Sequence, residues 1–282
     1  MFNSAQLNDR IKKAASALGV EDVNRVRIIV TLERIVARLV TNQFLKEHLI
    51  FGGGFVLFKE FGSDRFTKDA DAIINGISKD KLIEEVTKAL AIDLEDGFWF
   101  GDPAGEELET ESGYGGYRFQ ILYKVGAPYP SFKEKAKLRR VHLDISIGVD
   151  LEDVARETKT SSILSSLGSI AWKVYPPEFI ASEKIHCLLY RGQYNTRGKD
   201  VYDLSSLFKE MDEKNLLIAI ERTFKRRSFE VKSLFEVANN IDTSTLKDSY
   251  QKVMTEEIAH TFEESWEIIL KKLKVLDRMK KG

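Results

Sequence analysis

The sequence predicts an α+β region followed by a bundle of helices. Runs rich in β-branched and aromatic residues, typical of strands, are concentrated between residues 92 and 149. After Pro176 and Pro177, apolar residues recur only at helical spacing, and no internal repeat is present. We therefore expect three parts: N-terminal helices over 1–47 packing on the core, a mixed-sheet domain over 48–175, and a helical domain over 176–282.

Composition narrows the class of protein. The 282 residues are 43% hydrophobic and 31% charged, which is typical of a soluble chain able to bury a core. The 43 basic and 44 acidic residues argue against nucleic-acid binding over the whole surface. A single cysteine, Cys187, excludes an internal disulfide. No run is apolar enough for a membrane span, and the N-terminus lacks a signal-peptide pattern, so we expect a cytoplasmic protein. We expect a monomer, because no extended apolar stripe is left over outside the helices that need a core.

The pattern also predicts individual elements. Helices are expected over 5–18, 21–47, 55–61 and 79–91, and strands at 49–51, at 70–74 and in three segments between 92 and 149. The acidic stretch 102–111, which contains Pro103, reads as a loop. The C-terminal helices are expected over 177–192, 199–212, 213–226, 229–240, 243–257 and 259–280.

Asp69-Ala70-Asp71 is the first candidate for chemistry. On a strand, the period of two places both carboxylates on one face. Two hard oxygen donors at that spacing can hold Mg²⁺ and leave room for substrate phosphates. The pattern alone is also compatible with a solvated surface.

The glycine run Gly52–Gly54 lies upstream, between an apolar run and a helix. Such a turn exposes backbone N–H groups that can cradle phosphate, although three glycines can also form a plain turn. Arg65 and Thr67, just before the acids, can contact phosphate, or Arg65 can pair with Asp64 or Glu60.

Asp144 is the third acidic candidate. Apolar and polar residues alternate around it, so His142, Asp144 and Ser146 share a face of the predicted strand. A third carboxylate on a neighbouring strand is what a two-metal phosphoryl-transfer site needs. The alternative is a solvent-facing residue.

A fourth group follows Pro177. Lys184 and Arg191 share one face of a helix, and the segment from Asn195 to Lys199 forms a basic turn. One interpretation is a triphosphate clamp that includes the Arg residues. The other is a helical hairpin with a Lys184–Asp200 salt bridge, in which Asp200 favours the helix N-terminus.

Three basic clusters occur locally, at Lys133–Arg140, Arg222–Arg227 and Lys271–Lys281. Such clusters are commonly solvated surface, but two that line one cleft would suit an RNA backbone. The chain carries no nucleophile elbow, P-loop or dinucleotide fingerprint, which argues against those enzyme classes.

Taken in order, these motifs resemble the AbiEii/AbiGii nucleotidyltransferases, bacterial toxins of toxin–antitoxin systems linked to phage defence. The resemblance spans about residues 50–205 and is carried by Gly53, Gly54 and Leu57; Arg65, Thr67, Asp69 and Asp71; Leu143-Asp144-Ile145; the run 183–186; and the run 197–204.

The resemblance implies a polymerase-β-like domain with a mixed sheet, a helical C-terminal domain, and transfer of a nucleoside monophosphate from an NTP with Mg²⁺ or Mn²⁺. It implies an RNA acceptor, notably the tRNA 3′ end, and a cognate antitoxin that forms no stable complex. The implied metal ligands are Asp69, Asp71 and Asp144; the implied catalytic residues add Lys184 and Asp200; and the implied nucleotide-binding residues are Gly53, Gly54, Arg65, Thr67, Lys184, Arg191 and Arg197.

Two positions depart from the family pattern. Phe55 follows the glycines where a small hydroxyl residue is usual, and Ala70 separates the acids where a larger aliphatic residue is usual. Neither removes a metal ligand. Three alternatives stay open: a nucleotidyltransferase that modifies a protein or small molecule, a nucleotide-binding regulator with little catalysis, and a helical scaffold whose acids do not converge.

Overall fold

The structure is a computed structural model that describes residues 3–109, 115–127, 129–149, 151–253 and 260–281. The chain divides into two compact units, Met1–Tyr175 and Pro176–Gly282. The N-terminal helices therefore belong to the same unit as the sheet.

A seven-stranded sheet forms the centre of the first unit. Its strands are β1 (Ile50–Gly52), β2 (Asp69–Ile74), β3 (Phe98–Glu109), β4 (Gly115–Val125), β5 (Arg139–Ile147), β6 (Arg156–Ser161) and β7 (Ser169–Val174). Their order across the sheet is β3-β4-β5-β2-β1-β7-β6. Strand β2 is parallel to β5 and antiparallel to β1, so the sheet is mixed, and the predicted α+β class is confirmed.

The two faces of the central strands differ in burial. On β2, β4 and β5, one set of alternating residues is buried: Ala70, Ala72, Phe119, Ile121, Val141, Leu143 and Ile145. The other set is polar and half-exposed: Asp69, Asp71, Arg118, Gln120, His142, Asp144 and Ser146. We call the second face the open face, and it carries the candidate acids.

Five helices precede β3 in the described residues: α1 (Ser4–Ala17), α2 (Val23–Leu39), α3 (Gln43–His48), α4 (Gly53–Glu60) and α5 (Lys79–Leu90). The prediction of a single helix over 21–47 is wrong, because α2 ends at Leu39. Asn42 then begins α3 as an N-cap whose side chain accepts a hydrogen bond from the Leu45 backbone N–H at 3.0 Å.

The loop expected over 102–111 is also wrong for its described part, which belongs to β3. A register shift between Gly101 and Ala104 accommodates Pro103, and β3 lies at the edge of the sheet, where proline is tolerated. Residues 110 and 111 lie outside the described residues. Strands β6 and β7 were not predicted, although Ile170, Trp172 and Val174 alternate as buried residues.

The second unit is helical in its described residues. Its helices are α7 (Pro177–Arg191), α8 (Gly198–Leu207), α9 (Glu213–Arg226), α10 (Leu234–Asn239), α11 (Ser244–Val253) and α12 (Phe262–Lys281), with α6 (Phe132–Lys135) preceding them in the first unit. The predicted order of C-terminal helices is confirmed; residues 254–259 lie outside the described residues. None of the described helices combines the length and apolarity that a membrane crossing requires.

Candidate nucleotidyl-transfer site

Strand β2 positions the two acids of the DxD pattern. Asp69 and Asp71 are half-exposed and alternate with Ala70 and Ala72, which are almost fully buried. The small alanines pack into the core while the strand period places both carboxylates on the open face. The shared face inferred from spacing is therefore present.

The third acid lies beside them. In the parallel β2–β5 ladder, Asp71 is the Cα partner of Asp144, and Asp69 is the partner of His142. Neighbouring strands are about 4.8 Å apart, so Asp71 and Asp144 are adjacent on the open face. The structure thus brings Asp69, Asp71 and Asp144 together. This is contrary to the alternative of a helical scaffold whose acids do not converge.

Sequence reasoning missed a cation in this row. Arg118 on β4 is the Cα partner of Asp144. Its Nε donates to Asp144 Oδ1 at 2.8 Å and its Nη2 to Oδ2 at 2.7 Å, a bidentate pair. The hydrogen bond to Asp144 raises the pKa of Arg118, with smaller contributions from Glu106 and Asp69. The alternation of β4 placed Arg118 on the polar face, but only the strand register shows which acid it meets.

The pairing bears on metal binding. The described residues contain no group of three or more His, Cys, Asp or Glu side chains that could hold a metal ion. Both oxygens of Asp144 accept hydrogen bonds from Arg118, so a divalent cation at Asp144 would compete with that guanidinium. The assignment of Asp144 as a third ligand stays a prediction.

The glycine turn packs directly against these acids. Gly53 has φ +67°, a backbone conformation that favours glycine, and a Cβ there would overlap the Asp71 carboxylate. A Cβ on Gly54 would lie 2.7 Å from Arg65 Nη2. The absence of side chains therefore lets the start of α4 approach both the acid and the guanidinium. Backbone N–H groups at that helix N-terminus can donate hydrogen bonds to an anion.

Arg65 and Thr67 lie beside the glycine turn, just before Asp69 in the chain. The Thr67 hydroxyl donates a hydrogen bond to an Asp69 carboxylate oxygen, which orients that acid. Arg65 is 7% exposed and donates to the Phe66 carbonyl at 3.3 Å. Phe55, the departure from the family pattern, is 1% exposed and packs edge-on against Trp172 at 5.7 Å. Its ring stabilises the core and offers no hydroxyl to a phosphate.

The later motifs form a separate cluster in the helical unit. Lys184 Nζ on α7 lies 2.7 Å from Asp200 Oδ1 and 2.8 Å from Asp203 Oδ2 on α8. The Arg197 Nε also donates to Asp200, whereas Arg191 is half-buried at the end of α7. The salt bridge of the hairpin interpretation is therefore present, and the triphosphate clamp stays a prediction.

Burial shapes the ionisation of this cluster. Asp200 is 0% exposed and Lys184 is 6% exposed. Burial by itself raises the pKa of Asp200, but the attraction of Lys184 and Arg197, with their hydrogen bonds, outweighs it and holds that pKa well below its ordinary value. The carboxylate is thus ionised across the physiological range.

Comparison with known proteins identifies the family. A sequence profile described as "Nucleotidyl transferase AbiEii toxin, Type IV TA system" matches residues 34–278. The chain belongs to the AbiEii family. It is a nucleotidyltransferase of a toxin family, as the motifs predicted, and the match extends on both sides of the segment that carried the resemblance. No curated protein matches the chain.

Solved structures share the AbiEii chain's fold. MenT4, a nucleotidyltransferase toxin from Mycobacterium tuberculosis, is 16% identical with a TM-score of 0.64, over 94% of this chain and 89% of that one. JHP933 from Helicobacter pylori is 17% identical with a TM-score of 0.54, over 88% of this chain and 90% of that one. At these identities the likeness is one of fold.

Proposed function

We propose that this AbiEii-family protein moves a nucleoside monophosphate from an NTP to the 3′-hydroxyl of tRNA, with Mg²⁺ or Mn²⁺. It would act in the cytoplasm, where both substrates occur, as a toxin restrained by a cognate antitoxin without a stable complex. The observation that carries the proposal is the row of Asp69, Asp71 and Asp144 on adjacent strands, with the glycine turn packed against it.

In this proposal, different residues of the first unit bind the metal ion and the triphosphate. Asp69 and Asp71 would hold the divalent cation, which when bound supplies charge neutralisation at the reacting phosphate. The backbone N–H groups at Gly53 and Gly54, with Arg65 beside them, would receive the anionic triphosphate. Thr67 fixes Asp69 through its hydrogen bond.

The reaction needs positioning more than covalent chemistry. The acceptor oxygen forms a bond to the α-phosphorus, the bond to the β-phosphate oxygen breaks, and pyrophosphate leaves with the electron pair. The hydroxyl proton passes to solvent or a neighbouring carboxylate. Holding the two reactants in line converts a bimolecular step into an effectively unimolecular one, so a dedicated general base is not required.

Arg118 and Lys184 have supporting roles in this proposal. Arg118 holds the Asp144 carboxylate in place beside Asp71 through two hydrogen bonds. Lys184 is assigned to the triphosphate by the family motif, with Asp200 as its partner at 2.7 Å.

The test is transfer of each labelled NTP to total tRNA with Mg²⁺, comparing the wild type with Asp69→Ala/Asp71→Ala. Label on tRNA from the wild type alone is the expected result. Pyrophosphate release with label on protein or a small molecule would move the acceptor to another class. Nucleotide binding without turnover would contradict catalysis and favour a regulator.

A further inference from the structure

The segment between β4 and β5 presents a concentrated positive charge. Residues 131–140, which we call the basic segment, include five basic residues and one acid, and they contain α6. Lys133, Lys137, Arg139 and Arg140 are exposed, and Lys135 is half-exposed. The charge is therefore directed to solvent.

The single acid of the basic segment does little to neutralise it. The Glu134 carboxylate accepts a hydrogen bond from the Ser131 backbone N–H at 2.8 Å, as part of the capping box of α6. Lys124, outside the segment, lies 3.4 Å from the same carboxylate. Lys133 and Lys137 pair with no carboxylate among the residues that the structure describes.

The other basic clusters are different. Arg226 and Arg227 both pair with Glu183. Lys271 pairs with Glu267 at 2.7 Å, and Lys272 pairs with Glu213 at 2.7 Å. These pairs involve two of the four basic residues at Arg222–Arg227 and two of the six at Lys271–Lys281. The basic segment differs from both clusters in its position, directly before the strand that carries Asp144.

The basic segment leads directly into the strand that carries Asp144. Arg140 lies on the same face of β5 as His142 and Asp144. The distance from Arg140 to Asp144 along the strand is four residues, or about 13 Å. That is about four stacked nucleotides at about 3.4 Å each. Two contacts hold the basic segment against the neighbouring strands. Lys135 Nζ lies 5.1 Å from the Trp99 ring centroid on β3, and Arg140 Nη1 donates a hydrogen bond to the Gln120 carbonyl on β4 at 2.8 Å.

An aromatic ring stands among these charges. Phe132, in the first turn of α6, is 90% exposed, the largest value among the large hydrophobic residues that the structure describes. A phenylalanine in water gains nothing for the fold, whereas an exposed ring beside lysines matches the platforms on which unpaired bases stack.

We propose that the basic segment binds the single-stranded end of the acceptor RNA, with Lys133 and Lys137 on phosphates and Phe132 stacking on a base. This inference rests on the proposed function and locates its RNA surface. A polyanion with exposed bases satisfies both features, the unpaired charge and the exposed ring, whereas an acidic protein would satisfy only the first.

The test measures binding of the full chain to a labelled single-stranded RNA of about 12 nucleotides by fluorescence anisotropy, over a range of salt concentrations. All proteins carry Asp69→Ala/Asp71→Ala, so that binding is read without turnover. We expect Lys133→Ala/Lys137→Ala to weaken binding and to lower the log–log salt slope by about 1.4, or about 0.7 for each phosphate contact on a single strand. Phe132→Ala should weaken binding about fivefold or more at unchanged slope.

Arg278→Ala/Lys280→Ala is the matched control, since it also removes two exposed positive charges. Equal losses in control and test variants would overturn the proposal, because net charge alone would explain them. An unchanged salt slope in Lys133→Ala/Lys137→Ala would also overturn it. Neither result bears on nucleotidyl transfer, and patch-dependent RNA binding would stand even if labelled NTPs never reached tRNA.

Discussion

Two clusters of charged residues in this chain use the same residue types in opposite surroundings. In the sheet unit, Asp69, Asp71 and Asp144 lie half-exposed on the open face with Arg118 beside them. In the helical unit, Asp200 and Asp203 are buried around Lys184.

The difference indicates what each cluster can do without rearrangement. Half-exposed carboxylates can exchange water for a cation or a substrate at small desolvation cost. A fully buried ion pair is expensive to break, because the partner left behind loses both its counter-charge and its water. We expect the first cluster to govern ligand binding and the second to govern stability as well as any catalytic role.

The largest contrast is expected for Asp69→Ala/Asp71→Ala. Loss of the carboxylates that hold the cation should lower nucleotidyl transfer by about 10⁴-fold or more, because metal charge neutralisation contributes several kcal/mol. The melting temperature should stay within a few degrees of the wild type, since both side chains are half-exposed. Glu221→Ala/Glu230→Ala, two exposed acids of the helical unit, is the control and should retain activity. A large fall in melting temperature would mean that the open-face acids are structural.

Lys184→Met should behave in the opposite way and destabilise the protein by about 3–5 kcal/mol. The substitution removes the ion pairs that Lys184 makes with the buried carboxylates of Asp200 and Asp203. Urea unfolding measures the change, and Lys214→Met at an exposed position should shift it by less than about 0.5 kcal/mol. A loss for Lys184→Met as small as that of the control would contradict the buried network.

The pH dependence of stability sharpens the same contrast. The folded pKa of Asp200 lies below its ordinary value of 3.8, so its stabilisation is complete above that value and is lost as pH falls toward the folded pKa. The difference in unfolding free energy between wild type and Asp200→Asn should therefore be constant from about pH 7 to about pH 5 and narrow below about pH 4. A gap that instead closes between pH 7 and pH 5 would show that the Asp200 pKa is raised.

The smallest effect concerns Arg118. Arg118→Gln removes a guanidinium that competes with cations for Asp144, and Mn²⁺ affinity should rise about fivefold to tenfold. Electron paramagnetic resonance of free Mn²⁺ measures this without turnover. In Arg118→Gln/Asp144→Asn the gain should disappear. Unchanged Mn²⁺ affinity in Arg118→Gln would indicate that Asp144 is not a metal ligand. Its pair with Arg118 would then serve only to join strands β4 and β5.

The sequence was most informative where a pattern is local. The alternation of Asp69, Ala70 and Asp71 predicted a shared face, and the helical spacing after Pro177 predicted the C-terminal helices in order. It failed where a local signal competed with context: the apolar spacing of 21–47 concealed the break at Asn42, and Pro103 suggested a loop within what is an edge strand.

By itself, the sequence determined the class of fold and the family, and it pointed to three candidate acids, because periodicity and motif order are properties of the chain alone. Only the tertiary structure decided that Asp71 and Asp144 are neighbours and that Arg118 occupies both oxygens of Asp144. It also decided that Lys184 is enclosed by two carboxylates. Strand register and burial depend on residues far apart in the chain, and they set which charges meet and how much water remains around them.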